Sequence, residues 1–230
     1  MNSIIRLAAV AAGVSLVAGA SAAPAAVLVA TWTGIVASGH DDTGVFGAIG
    51  NLAGDAYVVR FTYDTSIGYR DNSLPAYDLV FGGSDYGYAP PVSATVTING
   101  QTVSINGGFE SDAITKPTLP KVDFFSKYTH NDANIDIQTN IEMYDQADVH
   151  QATLETPVAL TTLSGAQAGN FNWFVYDYNL GLKTGQAAAT LNGGTLQISA
   201  VPEPAAWALM VTGLGLMGGR LRRRRFAAFG

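Results

Sequence analysis

The chain has 230 residues, of which 48% are apolar and 13% charged, with 26 glycines and no cysteine. That composition accommodates one domain plus extra segments, and it excludes a disulfide framework, a thiolate metal site and a thiol nucleophile. Seventeen of the eighteen acids but only six of the twelve bases lie between residues 27 and 200. The body is therefore strongly acidic and is predicted to repel nucleic acid.

Residues 1–22 have the layout of a secretory signal peptide. Arg6 supplies the positive start, 7–20 is an apolar run too short and too alanine-rich for a membrane span, and Ala20 with Ala22 forms the small-x-small cleavage pattern. Cleavage is expected after Ala22.

From 27 to 200 the dominant signal is period-two alternation broken by glycine and Asn-Gly turns. Strands are predicted at 27–38, 57–63, 92–98, 101–105, 122–128, 134–143, 171–178 and 195–200. Tyr57, Val59, Phe61 and Tyr63 share one face of the second, and Asn99-Gly100 marks a hairpin between the third and fourth. In 134–143 the expected apolar face is Ile135, Ile137, Ile141 and Met143, with Asn134, Asp136, Gln138, Asn140 and Glu142 on the wet side. Residues 38–52 read as a glycine-rich loop, and 187–191 as a short helical turn or part of a strand. Many short strands without a βαβ rhythm predict an all-β, antiparallel sandwich or jelly-roll-like body over 23–200.

Three kinds of chemistry have candidate residues in this body. His40, His130 and His150 each lie beside acids in polar segments, but there is no Gly-x-Ser-x-Gly elbow, HExxH pair or phosphate loop, so no enzymatic activity is expected. Asp132, Asn134 and Asp136 follow the D-x-N-x-D spacing that opens a calcium loop. Ile137 and Met143, however, stand where that loop needs glycine and glutamate. Asp41 and Asp42 form a second oxygen cluster; calcium is thus the one metal the sequence suggests, and no other cofactor is expected. Tyr86, Tyr88, Trp173, Tyr176 and Tyr178 are candidates for a sugar-stacking platform. Trp173 alternates with Phe171 and Val175 as a core face should, leaving Tyr176 and Tyr178 as the outward pair.

The C-terminus carries the sharpest pattern. Val201-Pro202-Glu203-Pro204 is followed by Trp207, a nearly uncharged apolar run, and the cluster Arg220, Arg222, Arg223, Arg224 and Arg225. The prolines cannot continue a strand ladder or sit inside a helix, which forces an extended, protease-readable segment. Residues 205–221 would make roughly 25 Å of helix, enough for a thin bilayer, with Trp207 at the outer interface and the arginines kept cytoplasmic. A single C-terminal transmembrane helix is predicted, with the body outside.

This tail, 201–225, resembles the PEP-CTERM sorting signal of Gram-negative bacteria, which also carries the label of an ice-binding protein C-terminal domain. The Pro-Glu-Pro triplet, the tryptophan, the glycine-containing apolar span and the arginine run carry the resemblance. It implies recognition by an exosortase, a transpeptidase-like membrane enzyme that processes the chain near the triplet, and association with exopolysaccharide. The glycine-rich stretch 38–57 is also similar to an N-terminal segment of PEP-CTERM proteins of unassigned function. An ice-binding role is not expected, because isolated triplets such as Thr95-Val96-Thr97 are not the repeated threonine arrays of a flat ice-binding face. The chain is thus expected to be exported, transiently anchored, then left at the cell surface or in the extracellular matrix. Carbohydrate binding is the alternative function, ahead of a secreted hydrolase.

Overall fold

A computed structural model describes residues 27–71, 73, 77–116, 118–131, 134–165 and 168–201. Ala20 and Ala22, Asp132, and the tail residues Pro202, Glu203, Pro204, Trp207, Arg220, Arg222, Arg223, Arg224 and Arg225 lie outside the described residues.

Fourteen strands run through the described residues. They begin with β1 (Val27–Asp41), β2 (Gly50–Asn51), β3 (Ala56–Asp64), β4 (Tyr69–Asp71) and β5 (Asp78–Gly82). The middle of the chain forms β6 (Val92–Ile98), β7 (Gln101–Ile105), β8 (Glu110–Thr115), β9 (Val122–Asn131) and β10 (Ile135–Asp145). The last four are β11 (Val158–Thr162), β12 (Gly169–Asp177), β13 (Leu182–Leu191) and β14 (Thr195–Ala200). Among the described residues there is no helix long and apolar enough to cross a membrane.

Every pairing is antiparallel, and the strands form one sheet curled so that its two halves face each other. The first half runs β11–β14–β1–β3–β6–β7, the second β4–β5–β8–β9–β10–β12–β13–β1. Strand β1 belongs to both. Its start pairs with β3 and β14, its end with β13, and the register slips between Val36 and Ser38. A bulge at that point bends the strand from one half of the curled sheet to the other. The β6–β7 hairpin closes through Asn99 and Gly100, both at positive φ (52° and 75°), as the predicted Asn-Gly turn requires.

Ring contacts fill the core inside the curled sheet. Trp32 on β1 meets Phe124 on β9 at 5.3 Å between centroids, and Tyr63 on β3 meets the same ring at 5.0 Å. All three are fully buried, each burial contributing about 2–3 kcal/mol. The alternation read from 57–63 holds: Tyr57, Val59, Phe61 and Tyr63 all face this core.

The irregular stretch 146–157 crosses one end of the curled sheet and is tied down by polar groups. The Tyr63 hydroxyl donates to the Leu154 carbonyl at 2.8 Å, and Gln151 Nε2 donates to the carbonyls of Leu154 and Thr156. Asp78 accepts from the Leu154 N–H at 2.9 Å. These bonds supply the partners that buried loop backbone would otherwise lack.

Candidate ligand-binding face

Each strand of the second half turns alternate side chains to the core, so the remaining residues line up across the sheet on its outer face. The register fixes one continuous row. Tyr69 pairs with Phe81, Phe81 with Asp112, and Asp112 with Phe125. Phe125 then pairs with Glu142, Glu142 with Asn170, Asn170 with Thr190, and Thr190 with Ser38. Eight strands separated by about 4.8 Å make this row roughly 30 Å long.

One end is aromatic. Tyr69 lies 5.2 Å from Phe81 and 5.3 Å from Tyr88, and Tyr86 meets Phe81 edge-on at 4.9 Å. Tyr69, Tyr86 and Tyr88 are 44%, 42% and 47% exposed, so three rings present solvent-facing surface in one patch. The turn that holds two of them is rigid. Gly83 pairs with Tyr88, and the Ser84 and Asp85 N–H groups donate to the carbonyls of Gly108 and Phe109. Gly83 sits at φ 119°, and a Cβ there would come within 2.3 Å of the Phe109 carbonyl oxygen, so no other residue fits. The Tyr86 hydroxyl donates to Glu110 at 2.9 Å; that bond, with burial second, pushes the phenol up to about 12.

The middle of the row is acidic. Asp112 and Glu142 flank Phe125, and Asp123 lies one step along β9 beside Tyr144. Burial, followed by the charges of Asp123, Glu110 and Glu142, pushes the Asp112 carboxyl up to about 7. Glu142 is raised by burial and by Asp123. Burial also raises Asp123, against which Lys121, 3.5 Å away, acts. Among the described residues no hydrogen bond from the protein reaches Asp112 or Glu142. Both carboxyls therefore keep their hydrogen-bonding capacity for something outside the chain.

Amides take over at the other end. Asn172 donates to Asn140 at 3.2 Å one step from the row. Ala188 and Gly39 floor an open hollow of about 340 Å³ rimmed by His40, Asn170, Asn172 and Thr190.

The residues singled out in the sequence scatter across this frame. Tyr176 and Tyr178 meet edge-on at 5.2 Å, as an outward pair at the far end of β12. Tyr86 and Tyr88 belong instead to the patch at β4 and β5, and Phe171 is core, its ring 5.0 Å from Phe46. Asp41 and Asp42 take different partners. Buried Asp41 accepts from Thr43 N and Oγ1, Gly44 N and Phe46 N, which shapes the 41–46 turn and seats Phe46 in the core. Asp42 lies in solvent, 2.9 Å from His40 Nε2. The faces expected for 134–143 need correction at their start: Ile135 is 37% exposed, while Asp136 is only 6% exposed. Tyr176 stands directly opposite Asp136, and Gln138 donates to its Oδ2 at 2.7 Å. Its Oδ1 has no partner. Asn134 is exposed and accepts from Asn179 at 3.2 Å. No group of three or more His, Asp or Glu side chains among the described residues is placed to hold a metal ion.

Tyr69, Phe81, Asp112 and Glu142 escaped the sequence reading. They lie on four strands spread over more than seventy residues, and only the register brings them together. Set against protein-family models, curated proteins and solved structures, the chain matches none.

Proposed function

We propose that this chain is an exported protein of the bacterial surface or extracellular matrix, with a jelly-roll-like, non-catalytic body. A signal peptide ending at Ala22 starts export. A C-terminal apolar helix holds the chain in the inner membrane until an exosortase processes it near Pro202-Glu203-Pro204. The observation that carries this reading is the order of the tail, in which Val201 and the proline-bracketed glutamate precede Trp207, an apolar span and five arginines. Uncharged span and arginine plug set orientation, while the triplet keeps its backbone extended for an enzyme. The body is compatible with that arrangement. Strand β14 ends at Ala200, and the Val201 N–H donates to the Val27 carbonyl at 3.0 Å. Both ends of the described chain thus leave from the same edge of the sandwich, so a membrane-tethered tail need not disturb the core.

A second reading, carbohydrate binding, is favoured by the exposed rings and unspent carboxyls of the outer face, and the two readings are compatible in a protein retained by exopolysaccharide. Replacing Pro202, Glu203 and Pro204 with alanine is expected to trap full-length protein in the inner membrane, followed by fractionation and immunoblotting. Normal amounts of trimmed protein outside such cells would refute the sorting reading.

A further inference from the structure

We propose that the row Tyr69–Phe81–Asp112–Phe125–Glu142–Asn170 binds a single uncharged, linear polysaccharide chain laid at right angles to the strands. The inference rests on the polysaccharide-associated reading above and names the surface and the charge class of its ligand.

The chemistry of the row selects the occupant. A protein partner would be met by an apolar patch with charge confined to its rim, since interface cores are depleted of charged residues. Here carboxyls stand between the rings, with Asp112 between Phe81 and Phe125 and Glu142 just beyond. Nucleic acid, an anionic polysaccharide or an anionic lipid surface would meet Glu110, Asp112, Asp123 and Glu142. The bases nearby are engaged: Lys121 pairs with Asp123, and Lys127 lies over the Phe109 ring at 4.6 Å. A neutral sugar chain answers both halves of the pattern. Its C–H faces pack on rings, and its hydroxyls donate to carboxylates or accept from protonated ones.

Geometry sets the direction. Interstrand spacing is about 4.8 Å, close to the length of one pyranose ring, so each strand crossed offers one side chain per sugar. Across the strands the positions run from the rings Tyr69 and Phe81 through Asp112, Phe125 and Glu142 to Asn170, one per strand. The ring patch at β4 and β5 is fixed by the 83–88 turn before a ligand arrives, which limits the ordering cost of binding.

The test uses the full-length chain purified in detergent and three probes: amorphous cellulose, an insoluble β-1,3-glucan and, as the anionic comparison, alginate. Binding to at least one neutral glucan and none to alginate is expected. The double substitution Tyr69→Ala/Tyr88→Ala removes two exposed rings and is expected to weaken binding at least tenfold with an unchanged melting temperature. Tyr176→Ala/Tyr178→Ala is expected to leave it within twofold. Soluble oligosaccharides of the bound glucan should gain affinity with each added sugar up to about the six positions of the row. Loss on Tyr176→Ala/Tyr178→Ala with retention on Tyr69→Ala/Tyr88→Ala overturns this site and leaves the carbohydrate reading standing. Preference for alginate overturns the charge argument. Absence of binding to either glucan overturns the proposal, and so does a concentration-dependent dimer abolished by Tyr69→Ala/Tyr88→Ala. Sorting is judged separately by the triplet substitution.

Discussion

On the outer face of the first half of the sheet, Thr195, Thr33, Val58, Thr97 and Thr102 stand side by side across five strands. The corresponding row of the second half holds aromatic rings, carboxyls and an amide. The threonines largely satisfy one another. Thr33 and Thr195 share a hydrogen bond of 2.8 Å between their hydroxyls, and Thr97 and Thr102 do the same. β-branched hydroxyl residues are what a solvent-facing strand uses to stiffen itself and pair with its neighbour. Raised carboxyls add nothing that strand formation needs, and the tyrosines here present ring surface to solvent as well as to their strand neighbours. The difference teaches which face is scaffold and which holds groups free for a ligand, and each prediction below tests that division.

The largest effect is expected where the second half is clamped at its edge. Arg70 on β4 donates through Nε and Nη2 to Asp78 at 3.0 and 2.8 Å, and through Nη1 and Nη2 to Glu155. Asp78 is only 4% exposed. Arg70→Met leaves two carboxylates facing each other without a cation and should cost about 3 kcal/mol, read from the urea midpoint. Burial raises the Glu155 carboxyl, but the hydrogen bonds from Arg70, Thr65 and backbone together with the Arg70 charge outweigh it, and the net shift is downward. A lowered acid contributes stability above its unfolded value and loses it as pH falls through the folded one. The deficit of the variant should therefore shrink below the ordinary glutamate range. A cost under about 0.5 kcal/mol at pH 7 would mean that the edge bearing Tyr69 is held by other contacts.

Asp112 gives a smaller effect of opposite sign. Its carboxyl titrates near 7 when folded, well above an unfolded aspartate. The folded protein thus holds this proton while the unfolded chain has released it, and stability falls as pH rises from about 4 to 7. Asp112→Asn removes that loss. The variant should match the parent at pH 4 and exceed it by about 1 kcal/mol at pH 8, after solvent screening of a mostly buried group that keeps some contact with water. Equal stability at both pH values would show that Asp112 is not crowded by its acidic neighbours.

The same contrast explains what the sequence made legible. Strands β3, β6, β7 and β14 were clear because each keeps one strictly alternating face, and Asn99-Gly100 names its own turn. Strands β4, β5, β8 and β11 went unread. β4 has three residues, and β8 turns Ser111 and Thr115 inward, where Ser111 Oγ accepts from the Val92 N–H of β6 and the Thr115 hydroxyl donates to the Gln151 carbonyl instead of packing in an apolar core. A polar inward face breaks the hydrophobic period that marks a strand. Tyr86 and Tyr88 were recognised as ring candidates because they are neighbours in the chain. Their partners Tyr69 and Phe81 come from strands whose pairing depends on the whole sheet, and Asp112 and Glu142 have no spacing that would link them. Asp136 shows the converse: alternation puts it on the wet side, but Tyr176 opposite and Gln138 beside it leave it only 6% exposed.

The smallest effect is predicted for the first half, and its smallness is the point. Thr97→Val/Thr102→Val deletes the exposed hydroxyl pair of the β6–β7 hairpin while keeping two β-branched side chains directly opposite each other. The lost hydrogen bond competes with water, and valine has at least the strand preference of threonine, so the two terms nearly cancel. Stability should move by less than about 0.5 kcal/mol in urea denaturation, and glucan binding should stay within twofold of the parent. The equivalent loss of two exposed rings on the other half is expected to abolish most of the binding. If the threonine variant instead loses glucan and the tyrosine variant keeps it, the hydroxyl rows are the recognition surface and the rings are merely the cover of Phe81.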